Sequence, residues 1–335
     1  MNKQTLQVNG AVSPGRARGA VLGGGMPCGE VSSTTACAVI SRHTRSMTSS
    51  ASTSSPSSSS SMHPLDEALQ LTASSAATGQ YEGQTHPGYW NMVGPFGGIT
   101  AATLLQAVLQ HPDRLGDPLS LTVNYAGALT AGAFTVQATP VRTNRSTQHW
   151  TLSILQVGAD GAPVVTTTAT AVTAVRRETW SVGDMPMPEV PPPVEHKAIV
   201  APQGAVEWLN RYEMRPVTGL IPRTWDGSGA HSLTQLWMRD APPRPLDFVA
   251  LAALADVFFP RLWLPRARQV PAGTVSITVY FHATAEQLLA TGSGFLLGQA
   301  RGQEFRNGFF DQTVQLWNEA GTMLATSHQI VYYKE

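Results

Sequence analysis

Apolar residues are arranged along this chain in two ways, as unbroken runs and as strict alternation with polar residues. The longest run is Phe248-Val-Ala-Leu-Ala-Ala-Leu-Ala-Asp-Val-Phe-Phe259, in which Asp256 is the one polar residue. Pro245 and Asp247 make a helix start and Pro260 a stop, so the run predicts one helix of about four turns. A second apolar helix is predicted over about Gly98–Gln110. Leu119-Ser-Leu-Thr-Val-Asn-Tyr125 and Val275-Ser-Ile-Thr-Val-Tyr-Phe281 alternate instead, the signature of half-buried strands. Gln156-Val-Gly-Ala-Asp-Gly-Ala-Pro-Val-Val-Thr and Gln315-Leu-Trp-Asn-Glu-Ala-Gly-Thr-Met-Leu-Ala each read as strand, acidic-Gly turn, strand, which is a hairpin.

These elements come in duplicate. The two alternating heptapeptides agree by residue type in six of seven positions. Each follows an apolar helix and precedes a hairpin, so each half reads as a helix and then three or four long antiparallel strands. A helix packed on one face of such a sheet is an α+β unit. Between the halves lies Met185-Pro-Met-Pro-Glu-Val-Pro-Pro-Pro-Val194, whose five prolines predict a semi-rigid connector. The expected organisation is a first repeat over 63–184, a Pro-rich linker over 185–199 and a second repeat over 200–335. Two such units would pair as a pseudo-dimer with sites at the seam.

Residues 1–61 are expected to stand outside the fold as a disordered tail. Eleven of the sixteen residues from Ser46 to Ser61 are serine, too little apolar surface to offset the entropy of ordering them. Lys3, Arg16, Arg18, Arg42 and Arg45 against the single acid Glu30 match an organellar transit peptide superficially. The competing reading is that Met62 opens the protein proper. A cytoplasmic location is expected, with organellar import left open by the leader.

Lys plus Arg and Asp plus Glu number 22 each, so no basic face for nucleic acid is expected. Both cysteines, Cys28 and Cys37, fall in the leader, which leaves the body without a disulfide framework or a thiolate zinc site. No apolar stretch approaches 18 residues, so no transmembrane helix is predicted.

Against that background Asp256 stands out. Ala252, Ala253 and Phe259 are its helical neighbours, so no face around it is polar. Desolvation should raise its pKa, which prepares a carboxylate to accept a proton. The alternative is a helix-end Asp that reaches solvent or caps the next turn.

Several stretches in order carry a family resemblance: Ser232-Leu-Thr-Gln-Leu-Trp-Met-Arg239, Leu251-Ala-Ala-Leu-Ala-Asp256, Gly273-Thr-Val-Ser-Ile-Thr-Val-Tyr-Phe-His282 and Leu324-Ala-Thr-Ser-His-Gln329. In the first half Gly94-Pro-Phe-Gly-Gly98 and Arg142-Thr-Asn-Arg-Ser146 add to them. Over about Pro87 to Glu335 the chain resembles the type II acyl-CoA thioesterases, which are double-hotdog proteins. The resemblance implies an α+β double hotdog that hydrolyses acyl-CoA to free acid and CoA. It also implies that Asp256, Thr274 and Gln329 jointly hold the nucleophilic water. Acyl-CoA is then the expected partner, a homo-oligomer the expected assembly, and neither cofactor nor metal is expected.

The residues themselves are compatible with those roles. Thioester hydrolysis needs an aimed water, a proton acceptor and donors for the developing oxyanion. Thr274 opens a strand whose polar face is expected to continue through Ser276, Thr278 and Tyr280. Taken alone it suits strand pairing as well as catalysis. Gln329 falls on the Met323, Ala325, Ser327, Val331 face, where an amide needs a partner. Gly97 and Gly98 at the head of the first helix are candidate oxyanion donors through their backbone N–H groups, or glycines required by a tight turn. Gln106 takes the place of Asp256 in the first half, which points to chemistry in only one of two related sites.

Asp226-Gly-Ser-Gly-Ala-His231 has the Asp-x4-His spacing of hotdog enoyl-CoA hydratases but lacks their Asn-Pro step, and a turn is the simpler reading. A hydratase using Asp226 and His231, or a non-catalytic acyl-binding protein, are the rival functions. His282 and His328 have no His or carboxylate at ligand spacing. The chain has no Gly-x-Ser-x-Gly elbow, dinucleotide fingerprint or P-loop.

Overall fold

The computed structural model describes residues 62–335; the expectations for the leader and its two cysteines lie outside the described residues. The first part contains α1 (Pro64–Ala68), β1 (Thr72–Ala73), β2 (Gln80–Gln84), α2 (Gly97–Gln110), β3 (Asp117–Tyr125), β4 (Ala133–Thr143), β5 (Thr147–Val157) and β6 (Pro163–Ala174). The second contains β7 (Tyr212–Thr218), β8 (Thr234–Asp240), α3 (Phe248–Leu254), α4 (Trp263–Arg266), β9 (Ala272–Phe281), α5 (Ala285–Thr291), β10 (Leu296–Arg301), β11 (Phe305–Arg306), β12 (Phe309–Asn318) and β13 (Met323–Tyr333).

The strands form one antiparallel sheet in the order β1-β2-β4-β5-β6-β3-β9-β13-β12-β10-β8-β7, with β11 paired to β12 at its side. Read from either end, this order visits equivalent strands, so the sheet has a local twofold between β3 and β9. Thr122 and Thr278 are register partners there, with their hydroxyl oxygens 3.0 Å apart. They are also the threonines that the two heptapeptides place in equivalent positions. The repeat seen in the sequence is thus a spatial one, two helix-on-sheet units joined edge to edge.

Two strands precede the main helix in each unit, β1 and β2 before α2 and β7 and β8 before α3, where the alternation pattern predicts a helix first. The reason is local. Tyr81 is the only large apolar residue in β2, and β8 has no alternation because Leu236, Trp237 and Met238 are buried on both faces.

α2 and α3 lie within the core. Residues Gly98 to Leu105 of α2 are all buried, as are all seven residues of α3, as expected of helices apolar on every side. Leu104, Leu105 and Leu251 are fully enclosed and each contribute on the order of 2 kcal/mol by burial. Asp247 caps α3 by accepting a bond from the Ala250 amide at 2.8 Å.

The helix ends sooner than its apolar run predicts. The Asp256 amide bonds to Ala253 O at 3.1 Å, a tightened turn, and the Ala255 carbonyl is taken by Ser327 Oγ of β13 at 3.2 Å. Asp256 therefore sits in the turn after the helix and not in its interior.

The Pro-rich stretch lies against the outer face of the second unit's sheet. Trp237, Leu297 and Trp317 form a row across β8, β10 and β12. Trp237 Nε1 donates to Pro191 O at 2.9 Å and Trp317 Nε1 to Met185 O at 3.4 Å. Met187 and Val190 pack on the cluster formed by Trp237, Phe295 and Leu297.

Candidate active site

β13 alternates regularly, with Ala325, Ser327, Gln329 and Val331 facing inward. β9 does not. Ile330 pairs with Ser276 but Val331 pairs with Thr274, so Val275 is an extra residue, a β-bulge. Thr274 therefore leaves the face of Ser276, Thr278 and Tyr280 on which the sequence pattern placed it and turns inward. There its hydroxyl donates to Gln329 Oε1 at 3.3 Å. An alternation count cannot detect this, because the strand partner decides where a bulge falls.

Gln329 also donates from Nε2 to Asp256 Oδ1 at 2.7 Å. Asp256 is 8% exposed, with the Gly98 backbone N–H also directed at its carboxylate. Burial pushes its pKa up to about 7, opposed by those two hydrogen bonds. The structure thus brings Asp256, Gln329 and Thr274 into one hydrogen-bonded chain contributed by the α3 turn, β13 and β9. At neutral pH a carboxylate so tuned can accept a proton and return it.

Gly97 and Gly98 close the other side. A Cβ on Gly97 would lie 2.6 Å from Asp256 Oδ2, and one on Gly98 would lie 2.6 Å from Ala253 O. Both glycines are therefore required by close approach of α2 to the α3 turn, and both also present backbone at the carboxylate. Gly97→Ala should displace the carboxylate and cut turnover by about tenfold or more while the protein stays folded, checked by kinetics beside a melting curve.

Tyr125 was not singled out in the sequence. Its hydroxyl donates to Gly97 O at 2.8 Å, and burial first, with the nearby Asp256 charge second, holds its pKa well above the usual tyrosine value. The signal was in the repeat, since Phe281 is its counterpart and lacks the hydroxyl.

The first unit has the same bulge, with Leu119 as the extra residue between Pro118 and Ser120. The equivalents of Thr274 and Gln329 are there Pro118 and Ala171, and Gln106 lies in unbroken helix. None of these can reproduce the polar chain around Asp256.

Asp226 and His231 are both exposed, and the Asp226 carboxylate accepts from the Ser228 amide and hydroxyl in its own turn. That local capping spends the Asp226 carboxylate on its own turn and leaves the hydratase reading unsupported. His282 contacts Thr326 and His328 contacts Asp311; among the described residues no group of His, Cys, Asp or Glu could hold a metal. No described helix is long and apolar enough to cross a membrane. An apolar cleft of about 20 Å³ opens beside the first turns of α2, lined by Pro95, Ile99, Thr103, Leu129, Phe134 and Ile154. It has room for about one water.

Known proteins agree with this architecture. Residues 86–174 match the family model for the acyl-CoA thioesterase N-terminal domain, and 185–333 match that for the acyl-CoA thioesterase C-terminal domain. No match was found among curated proteins. A solved structure from Alicyclobacillus acidocaldarius, described as a conserved protein of unknown function with a hot dog fold, is 46% identical. It superposes with a TM-score of 0.75 over 82% of this chain and 99% of its own. The tesB protein of Mycobacterium avium subs paratuberculosis is 16% identical, with a TM-score of 0.65 over 81% of this chain and 98% of its own. The acyl-CoA thioesterase II TesB2 of Mycobacterium marinum is 18% identical, with a TM-score of 0.62 over the same shares. The chain belongs to the acyl-CoA thioesterase family of thioester hydrolases, built as a double hotdog.

Proposed function

We propose that the enzyme hydrolyses acyl-CoA through a water held by Asp256, Thr274 and Gln329, with Asp256 as general base. The observation that carries this reading is the hydrogen-bonded chain Thr274–Gln329–Asp256, which ends on a buried carboxylate with a pKa near neutrality. Asp256 takes a proton as the water oxygen bonds to the thioester carbon. The carbonyl oxygen becomes an oxyanion near the amino end of α2, where Gly97 presents a backbone N–H group together with the positive end of the helix dipole, the Gly98 N–H being directed at Asp256. The carbon–sulfur bond then breaks, and the proton held by Asp256 passes to the CoA sulfur. The products are the free acid and CoA.

In this reading the repeat over 200–335 carries the water and its acceptor, while that over 63–184 contributes the α2 terminus and Tyr125. One site per chain follows, because Pro118 and Ala171 offer no polar equivalents. Thiol release from a panel of acyl-CoAs tests the activity, and titration with a tight-binding, non-hydrolysable acyl-CoA analogue counts the sites. Turnover with about one analogue bound per chain is expected. Binding without thiol release from any acyl-CoA would instead identify a non-catalytic acyl-binding protein.

A further inference from the structure

From Asp256 to Arg261 the chain crosses two neighbouring strands, and each end of that segment engages a glutamine. Gln329 Nε2 donates to Asp256 Oδ1 at 2.7 Å, and Arg261 Nε donates to Gln312 Oε1 at 3.1 Å. Gln312 of β12 and Gln329 of β13 are register partners, so their side chains stand next to each other on the same sheet face. Both are buried, at 2% and 3% exposed.

Arg261 is fully enclosed and has no carboxylate within ion-pair distance among the described residues. Its guanidinium is held by Phe259 O, Ser232 O, Thr234 Oγ1 and Gln312 Oε1, and lies 4.1 Å from the centre of the Phe259 ring. Desolvation lowers its pKa to about 9, which still leaves a cation at neutral pH. With no anion beside it, the cation is held by these neutral acceptors and the aromatic ring alone.

The guanidinium can only donate, so it fixes the Gln312 amide with Oε1 toward Arg261 and Nε2 away from it. Nε2 then makes no hydrogen bond among the described residues, and it is not one of the polar atoms sealed from solvent without a partner. Gln148, a buried glutamine in the first unit, behaves differently. Its Oε1 accepts from the Leu115 amide, and its Nε2 donates to Asp113 O and Thr143 Oγ1. Gln329 is likewise bonded at both ends, and the Gly98 N–H is directed at Asp256. In this row Gln312 is the amide whose nitrogen makes no hydrogen bond, whereas Gln329 spends one of its two N–H groups on Asp256. Its equivalent across the local twofold is Trp150, beside Ala171 and Leu121, so this polar row exists only in the unit that contains Asp256.

We propose that Gln312 is a further catalytic residue, donating from Nε2 to the thioester carbonyl oxygen, and that Arg261 is its positioning residue. The proposal rests on the reading of Asp256 and Gln329 given above. It adds a side-chain donor to the Gly97 backbone N–H of α2, on the sheet side of the reacting carbon.

Gln312→Glu separates this role from a structural one. It keeps the shape and the acceptor facing Arg261 but replaces the free donor with an acceptor. At a pH above the limb set by Asp256, kcat for acyl-CoA should fall about 10²–10³-fold with KM changed only slightly. The melting temperature should hold or rise, because Arg261 gains an anion. Wild-type kcat in a well-folded Gln312→Glu would overturn the proposal. Should that variant fail to fold, Gln312→Met retains volume without a donor, and the same loss of kcat is expected and the same null result decisive. Arg261→Lys keeps the charge but loses the fork that orients the amide, so about a tenfold loss is expected; unchanged kcat there would overturn the positioning role. Asp256→Asn measured alongside distinguishes the two levels. Wild-type turnover in Asp256→Asn would remove the underlying reading, whereas its loss beside an unaffected Gln312→Glu would remove Gln312 alone.

Discussion

Asp256→Asn should lower kcat by about 10²–10⁴ with KM nearly unchanged, because it preserves shape and hydrogen-bonding reach while removing the only basic oxygen at the site. In the wild type the base is active when deprotonated, so kcat/KM should rise with pH through about 7 and level off above it. Folding stability should move in the opposite direction. The folded-state pKa of Asp256 is raised above its ordinary value of 3.8, so between about pH 4 and 7 the native chain binds the proton more tightly than the unfolded one. That contribution is complete below 3.8 and is lost as pH rises through 7. Asp256→Asn removes it, so the variant should gain stability over the wild type as pH increases, by an amount on the order of a few kcal/mol at most. Asp240 is also buried with a pKa raised to about 7 by desolvation, and it adds a loss of the same sign in both proteins. Denaturant melts of the pair at pH 5 and pH 8 check the difference. A turnover number unchanged in Asp256→Asn would exclude Asp256 as the base.

Gln329→Ala should be nearly as damaging, with a loss of about 10²–10³ in kcat, since it breaks the chain at its centre. The Gln329 hydrogen bond holds the Asp256 pKa down, and its removal should shift the acid limb of the pH–rate profile upward. Such a shift distinguishes lost electrostatic tuning from a general loosening of the site. The double variant Asp256→Asn/Gln329→Ala should lose little more than Asp256→Asn alone, because both residues act on one water. Full additivity would mean that they act independently.

What the amino-acid pattern reveals about this molecule follows from how local each feature is. α2 and the long hairpins are legible because their periodicity is their own, and the duplication is legible because Thr122 and Thr278 sit in matching heptapeptides. Asp256 is legible because a lone acid in an apolar run is an anomaly wherever the run ends. The end of α3 is not, since Ala255 to Phe259 suit a helix, whereas the chain tightens its turn at Asp256 and gives the Ala255 carbonyl to Ser327. The inward turn of Thr274 is hidden for a related reason, because Thr-Val-Ser-Ile-Thr-Val-Tyr alternates without a break through the bulge at Val275. Arg261 and Gln312 lie 51 positions apart, and no local pattern joins them. The inward parity of Gln312 with Phe310 and Val314 was the one clue available.

The Pro-rich stretch bears on how a substrate is admitted. Hinge closure requires a connector that can absorb large backbone rotations while the bodies it joins separate. Here the connector is anchored by two tryptophan N–H groups and covers the apolar row of β8, β10 and β12, so swinging it away would wet Trp237 and Trp317. Parting the two units would also strip the β3–β9 ladder and leave two open sheet edges. Clamshell opening is therefore closed to this enzyme. Any motion that admits a substrate must leave the β3–β9 ladder and the tryptophan-anchored strap in place.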